Sequence, residues 1–145
     1  MHKTIRQMIL GLGTFGTGTA LLYLEVNPYL LVLADTATRI YVVGTLQANG
    51  NATAPINFTA NGNAPRWGGI QFNGTASGAV TWSTFNRADA AVTVVTSSPS
   101  ITNNEVTRAV TGFRFINSPA VDLAYNTVDR ATLLGADIAG SSGVV

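Results

Sequence analysis

The sequence predicts an all-β fold, namely a right-handed parallel β-helix of about four to five coils behind an apolar N-terminal segment. Three observations support this. The dipeptide Arg-Ala recurs at Arg87, Arg108 and Arg130, at intervals of 21 and 22 residues. The residues around it align in columns of like type. The intervening segments are short and β-branched, and Gly, Asn and Ser-Pro separate them, as they separate strands. A period of about 20 to 29 residues is typical of a solenoid.

The N-terminal segment differs from the rest of the chain. Lys3 and Arg6 precede a stretch without charge that runs to Leu24, and a second apolar run follows. A positive start, an apolar stretch and a small-x-small end are typical of a secretory signal. Residues 1–34 are therefore predicted to be a signal peptide, a membrane anchor or a buried cap, and residues 35–145 to be the β-helix domain. A secreted or cell-surface protein is expected, with membrane contact only through residues 1–34 if they are uncleaved.

The three copies of the repeat align position by position. The apolar columns are predicted to face the interior, because stacked coils place like residues above like residues. The apolar columns are Val80, Ile101 and Leu123; Phe85, Val106 and Val128; Val92 and Phe113; and Val94 and Phe115. A polar column of Ser83, Asn104 and Asn126 is predicted at a turn, where stacked amides hydrogen-bond along the helix axis. The alignment also places Ser98-Pro99 opposite Ser118-Pro119.

The coils carry a further pattern. Residues 42–50 read "VVGTLQANG", residues 55–59 read "PINFT" and residues 67–72 read "WGGIQF", and the repeats "SPSITNNEV" and "SPAVDLAYNTV" follow. These segments resemble the right-handed parallel β-helix repeat proteins of the pectate-lyase-like superfamily, over roughly residues 38–142. The resemblance implies the fold. It leaves the function open, because surface proteins, adhesins and carbohydrate-active enzymes share this repeat.

Composition excludes several kinds of chemistry. The chain has no Cys, and its single His is His2. Thiolate sites, His-based triads and multi-His metal sites are therefore excluded, and no cofactor or metal is expected. Only 10% of residues are charged and the net charge is +1, so nucleic acid is not an expected partner. No Asp-Asp pair or other catalytic cluster is present, so no catalytic residue is assigned, although a polysaccharide lyase or hydrolase fragment stays an alternative.

The Arg column supplies the candidate ligand-facing residues. They are Arg87, Arg108 and Arg130, together with Glu105 and Asp129. Like charges one coil apart repel, so these guanidinium groups are expected to project into solvent or to meet anions. One interpretation is a solvated edge with surface ion pairs. The other is a groove for an acidic sugar or a sulfate group.

Large aromatic residues have two interpretations. Trp82 and Tyr125 share a column, with Asn103 between them. An outward column would be a platform for sugar rings, and an inward column would be core; we expect core packing, because large aromatics near a turn usually pack. Trp67 is expected to be structural.

The predicted function is that of a non-enzymatic, exported structural or adhesive protein. The segment "GADIAGSSGVV" resembles the beginning of another coil, and open coil edges offer unpaired backbone groups. Self-association through open β-helix ends into filaments, and binding of polysaccharide, are the expected interactions.

Overall fold

The computed structural model describes residues 21–24, 31–36 and 38–142, and every regular element among them is a β-strand. In chain order the strands are β1 (Leu21–Leu24), β2 (Leu31–Ala34), β3 (Arg39–Val42), β4 (Thr45–Asn49), β5 (Ile56–Ala60), β6 (Gly69–Asn73), β7 (Ser77–Thr81), β8 (Ser83–Asn86), β9 (Ala90–Val95), β10 (Ser100–Thr102), β11 (Glu105–Thr107), β12 (Thr111–Ile116), β13 (Asp122–Ala124), β14 (Thr127–Asp129) and β15 (Leu134–Ala139).

Each strand pairs in parallel with the strand three places further along the chain, and this makes three sheets. Sheet 1 has the order β1-β4-β7-β10-β13, sheet 2 has β2-β5-β8-β11-β14 and sheet 3 has β3-β6-β9-β12-β15. Three consecutive strands therefore form one coil, from coil 1 (β1–β3) to coil 5 (β13–β15). Turn T1 joins sheet 1 to sheet 2, turn T2 joins sheet 2 to sheet 3, and turn T3 returns to sheet 1. The predicted parallel β-solenoid is confirmed, and the crossover rule for parallel strands favours a right-handed coil.

Two strands lie within the predicted N-terminal segment. β1 pairs with β4 and β2 pairs with β5, so coil 1 begins before residue 35. Residues 1–20 and 25–30 lie outside the described residues, and the roles of signal peptide, anchor or cap stay predictions. In the described part of the chain, no helix has the length and apolar character that crossing a membrane requires.

The strand register confirms the apolar columns. Ile101 stands between Val80 and Leu123, and Val106 stands between Phe85 and Val128. All six side chains belong to the core or pack against it. Successive coils are about 4.8 Å apart, so each inward side chain packs on its counterparts above and below.

One predicted alignment is wrong. Val95 stands opposite Ile116, so Ser97, rather than Ser98, faces Ser118. The spacing of the next strands explains the error, because Ser100 pairs with Asp122 at an interval of 22 residues. The interval thus grows from 21 to 22 residues between Ser118 and Asp122, where the chain has one residue more than between Ser97 and Ser100. Ser97 and Ser118 are both buried, and their hydroxyl groups donate to the backbone carbonyls of Ala76 and Val94, respectively.

An aromatic stack fills the interior of coils 2 and 3. The ring of Phe58 lies 5.0 Å from that of Phe85 and 6.0 Å from that of Trp67, with nearly parallel planes. Trp67 is fully buried, and its indole N–H donates to the carbonyl of Asn86 at 3.2 Å. The structural role expected for Trp67 is confirmed. The donated hydrogen bond satisfies the one polar atom of a side chain that otherwise buries only apolar surface.

The polar column forms the amide ladder that the repeat predicts. The Asn104 side chain accepts a hydrogen bond from the amide of Ser83 (2.9 Å) and donates to the carbonyl of Val80 (2.8 Å) and to Asn126 Oδ1 (3.0 Å). Asn126 in turn donates to the carbonyl of Ile101. Asn104 is buried, so these bonds satisfy backbone groups at T1 that water does not reach.

The T1 and T2 corners of coils 3 to 5 each turn on a single residue with a positive φ. At T1 these residues are Trp82, Asn103 and Tyr125, with φ between 48° and 57°. At T2 they are Arg87, Arg108 and Arg130, with φ between 54° and 56°. The backbone ladder continues through the corner, since the amide of Arg87 donates to Thr107 and that of Arg108 donates to Asp129. The recurring Arg therefore marks a left-handed backbone position.

Candidate functional site

The three Arg residues of T2 share a backbone geometry but have different partners. Arg87 Nη1 donates to the carbonyls of Gly62 and Ala64, both at 3.0 Å, and Nη2 donates to Ala60 at 2.6 Å. Its guanidinium group thus holds the loop between β5 and β6 in place through these hydrogen bonds. A group already satisfied by three carbonyls has little capacity left for a ligand. Arg87 is therefore better explained as a structural clamp than as a ligand-facing residue.

The other two members of the column are exposed. Arg130 Nε lies 2.6 Å from Asp129 Oδ2, and both side chains are at least half exposed. Such a surface pair contributes little to stability. Arg108 is also exposed. The interpretation as a solvated edge with an ion pair agrees with Arg130, and the predicted groove for an acidic sugar stays a prediction.

A groove of about 340 Å³ lies along T1. One wall is the column of Trp82, Asn103 and Tyr125. Trp82 is 39% exposed and Tyr125 is 85% exposed, so the expectation that this column packs in the core is wrong. The physical reason is the left-handed corner: its single residue projects outward, while Ser83, Asn104 and Asn126 directly after it turn inward. The signal in the sequence was Asn103, because Asn tolerates a positive φ.

The floor of the groove comes from the outer face of sheet 2. Thr84, Glu105 and Thr127 are paired in register on β8, β11 and β14, and all three line the groove. They alternate with the inward column of Phe85, Val106 and Val128, as strand geometry requires. Glu105 thus belongs to this groove and is separated from Asp129, which pairs with Arg130. The sequence alone groups both acids with the Arg column, and the structure separates them.

The loop between β4 and β5 bounds the groove on the side of coil 2. Asn51, Ala52 and Pro55 contribute to its lining. Asn51 Oδ1 accepts hydrogen bonds from the amides of Thr53 and Ala54, at 3.0 and 2.9 Å, and from the Thr53 hydroxyl at 2.8 Å. This turn holds the loop in place, because one side-chain oxygen organises three donors. Sequence reasoning missed this loop, since coils 3 to 5 do not repeat it.

A second groove, of about 360 Å³, lies on the outer face of sheet 3. Arg39 and Arg114 line it, but protein groups bind both. Arg39 donates to the carbonyl of Gly68 and to Gln71, and Arg114 Nε lies 3.0 Å from Asp137 Oδ2. Because Arg39 is hydrogen-bonded to protein groups and Arg114 is paired with an acid, this second groove is the weaker candidate for a ligand site.

The acids do not assemble into a metal or catalytic centre. Among the residues that the structure describes, no three His, Cys, Asp or Glu side chains converge on a position where they could hold a metal ion. Glu105 lies in the T1 groove, and Asp129 forms the ion pair at T2. The T1 groove therefore offers aromatic faces, amides, hydroxyls and one carboxylate, a set suited to binding polyhydroxylated molecules.

Comparison with family models, with curated proteins and with solved structures found no match for this chain.

Proposed function

We propose that the chain is a non-enzymatic β-solenoid of the cell exterior, with an adhesive or structural role, that binds polysaccharide in the T1 groove. One observation carries the proposal: Trp82 and Tyr125 are exposed along the same groove, although large aromatic residues normally pack. Sugar rings have apolar faces that stack on such side chains. The hydroxyl and amide groups beside them suit the hydroxyl groups at the ring edges.

Binding without cleavage is favoured by the number of carboxylates. Glycoside hydrolysis ordinarily needs two carboxyl groups flanking the scissile bond. Glu105 is the single acid that lines the T1 groove among the described residues. One carboxylate can orient a sugar through its hydroxyl groups, but it cannot serve as acid and base on both sides of the bond.

We also propose membership of the pectate-lyase-like superfamily. Support comes from the parallel sheets of five strands each, the coil segments at residues 42–50 and 67–72, and the amide ladder. Secretion or display at the cell surface is supported by the charge and apolar pattern of residues 1–34.

The proposed function is tested with a panel of neutral and acidic polysaccharides. Co-sedimentation measures binding, and chromatography of the supernatant measures cleavage. We expect binding without shortened products, and we expect loss of binding in the double variant Trp82→Gly/Tyr125→Gly. Glycine is chosen because both positions have a positive φ. Tyr41→Ala is the control, since Tyr41 is 57% exposed on sheet 3. Depolymerisation would favour the lyase or hydrolase alternative, and binding by neither class would contradict the proposal.

A second candidate function, self-association, is favoured by the exposed edge of coil 5. In the described part of the chain, β13, β14 and β15 each pair on one side only. Ile138 is 52% exposed, although its partner Phe115 in the same inward column is fully buried. A second copy pairing its coil 1 with this edge would continue the columns, and such head-to-tail contacts build filaments.

Sizing at rising concentration and electron microscopy test the self-association. We expect larger species or filaments with the native chain, and monomers with Ile138→Asp. Monomers of the native chain at every concentration would contradict it.

A further inference from the structure

We infer that the T1 groove takes an extended, neutral, β-1,4-linked glycan whose chain runs parallel to the solenoid axis, with alternate sugar rings stacked on Trp82 and Tyr125. The inference rests on the proposed polysaccharide-binding function. It adds the direction of the ligand, its repeat length and its charge.

The direction follows from an alternation between coils. Coils 3 and 5 each present an aromatic residue on the wall of the groove and a threonine on its floor, as Trp82 with Thr84 and Tyr125 with Thr127. Coil 4 presents Asn103 on the wall and Glu105 on the floor. Stacking groups thus recur every second coil, and hydrogen-bonding groups lie between them. A ligand that uses both aromatic residues must lie along the axis, across three coils.

The repeat length follows from the spacing of the coils. Neighbouring parallel strands are about 4.8 Å apart, so residues in one column two coils apart are separated by about 10 Å. This separation is close to the length of one disaccharide unit in an extended glycan. In a β-1,4-linked chain each ring is turned over relative to its neighbour, so alternate rings present the same face. Rings one and three would then meet Trp82 and Tyr125, and ring two would meet Asn103 and Glu105.

The charge of the ligand follows from Glu105. It is the one charged side chain of the groove lining among the described residues, and it is exposed. A carboxylate accepts hydrogen bonds from sugar hydroxyls but repels a uronate or a sulfate. The T2 cations do not offset it within the groove, because none of them lines the groove and Arg130 is paired with Asp129. A neutral polymer is therefore favoured over an acidic one.

The loop at coil 2 bounds the groove and limits the site. Asn51 and Pro55 line the groove beside coil 3, so the ligand extends from Trp82 toward coil 5. Three rings span the three coils. Affinity should therefore rise steeply as the oligomer grows from two to four rings and then level off.

The experiment is calorimetric titration with β-1,4-linked oligomers of glucose and of N-acetylglucosamine, from two to six rings, and with galacturonate oligomers of the same lengths. We expect the affinity for one neutral series to rise about tenfold between two and four rings, because a second stacking contact is then made. Trp82→Gly and Tyr125→Gly should each abolish this rise and leave two-ring binding within about threefold. Tyr41→Ala should keep the full rise, and unfolding midpoints should verify that every variant folds.

The outcomes separate the inference from the proposed function. If a neutral series binds but Tyr125→Gly leaves the rise with length unchanged, the axial arrangement is overturned and polysaccharide binding stands. Preference for the galacturonate series would likewise overturn the neutral ligand alone. If neither these oligomers nor any polysaccharide of the panel binds, both proposals fall.

Discussion

At the scale of single residues, one backbone geometry has several side-chain uses. The T2 position requires a positive φ in coils 3, 4 and 5, and Arg occupies it each time. Arg87 clamps a loop, Arg130 forms an ion pair and Arg108 is exposed. A residue type can therefore recur because it tolerates a corner and keeps a charged side chain in solvent, without a shared ligand.

The corner geometry predicts an unusual order of stabilities. Arg108→Gly should be more stable than Arg108→Ala by about 1 kcal/mol, because Ala pays a steric cost at a positive φ and Gly does not. Thr107, one residue earlier in β11, is the matched control. At this strand position Thr107→Ala should be more stable than Thr107→Gly, by about 0.5 to 1 kcal/mol. Urea unfolding midpoints measure both pairs, and the same order at both positions would contradict the backbone explanation.

The amide ladder predicts different losses of stability at two neighbouring asparagines, of which only Asn104 is buried. Asn104→Ala should lower the free energy of unfolding by about 3 kcal/mol, since it leaves the Ser83 amide and the Val80 carbonyl buried without partners. Asn103→Gly removes the neighbouring side-chain amide, but glycine suits the positive φ, so the free energy of unfolding should stay nearly unchanged. Chemical denaturation tests the pair, and a loss below about 1 kcal/mol for Asn104→Ala would argue against the ladder.

At the scale of strands and coils, close stacking restricts side-chain size at particular places. β12 lies between β9 and β15, and Gly112 sits where its coil approaches the next. A Cβ on Gly112 would overlap the carbonyl oxygen of Gly135 and would lie 2.7 Å from Val128 Cγ2. A Cβ on Gly135 meets nothing within 4 Å. Two glycines at the same place in neighbouring coils therefore have different constraints.

The two glycines give a matched test of coil packing. Gly112→Ala should lower the free energy of unfolding by about 2 kcal/mol, because the obstructing carbonyl belongs to the backbone and cannot rotate away. Gly135→Ala should be neutral or slightly stabilising. Thermal unfolding of the two variants measures the difference. Equal midpoints would show that coils 4 and 5 are less closely packed than the structure indicates.

At the scale of the whole molecule, each coil contacts only its neighbours, so stability depends on position along the axis. Central strands such as β9 have partners on both sides, and the Phe58, Trp67 and Phe85 stack joins coils 2 and 3. β15 pairs on one side among the described residues, and its side chains are mostly exposed. Local unfolding of the described coils is therefore expected to start at coil 5.

Hydrogen exchange tests this gradient. At low protein concentration, amides of β9 should exchange at least about a hundredfold more slowly than those of β15, because only the central strands require opening of most of the molecule. Raising the concentration should protect β15 if copies pair end to end. Uniform protection of β9 and β15 at low concentration would contradict a solenoid that opens from this end.

The sequence by itself determined the repeat and what the repeat dictates. The apolar columns, the amide ladder, the parallel β-helix and a coil count near five could all be predicted, because repeated coils stack like residues on like residues. The structural role of Trp67 could be predicted as well. Each of these features depends on the alternation and spacing of residues along the chain, and the sequence displays both directly.

Only the tertiary structure decided which residues face one another outside the repeat. The outward direction of Trp82 and Tyr125 depends on the sign of φ at a corner, which residue type alone leaves open. The partners of Arg87 lie 23 to 27 residues away, at the end of β5 and in the loop that follows it. The T1 groove combines Trp82 and Tyr125 with Glu105 and with the loop between β4 and β5, and these parts come from separate coils. Such a site depends on distances between coils, and these exist only once the chain has folded.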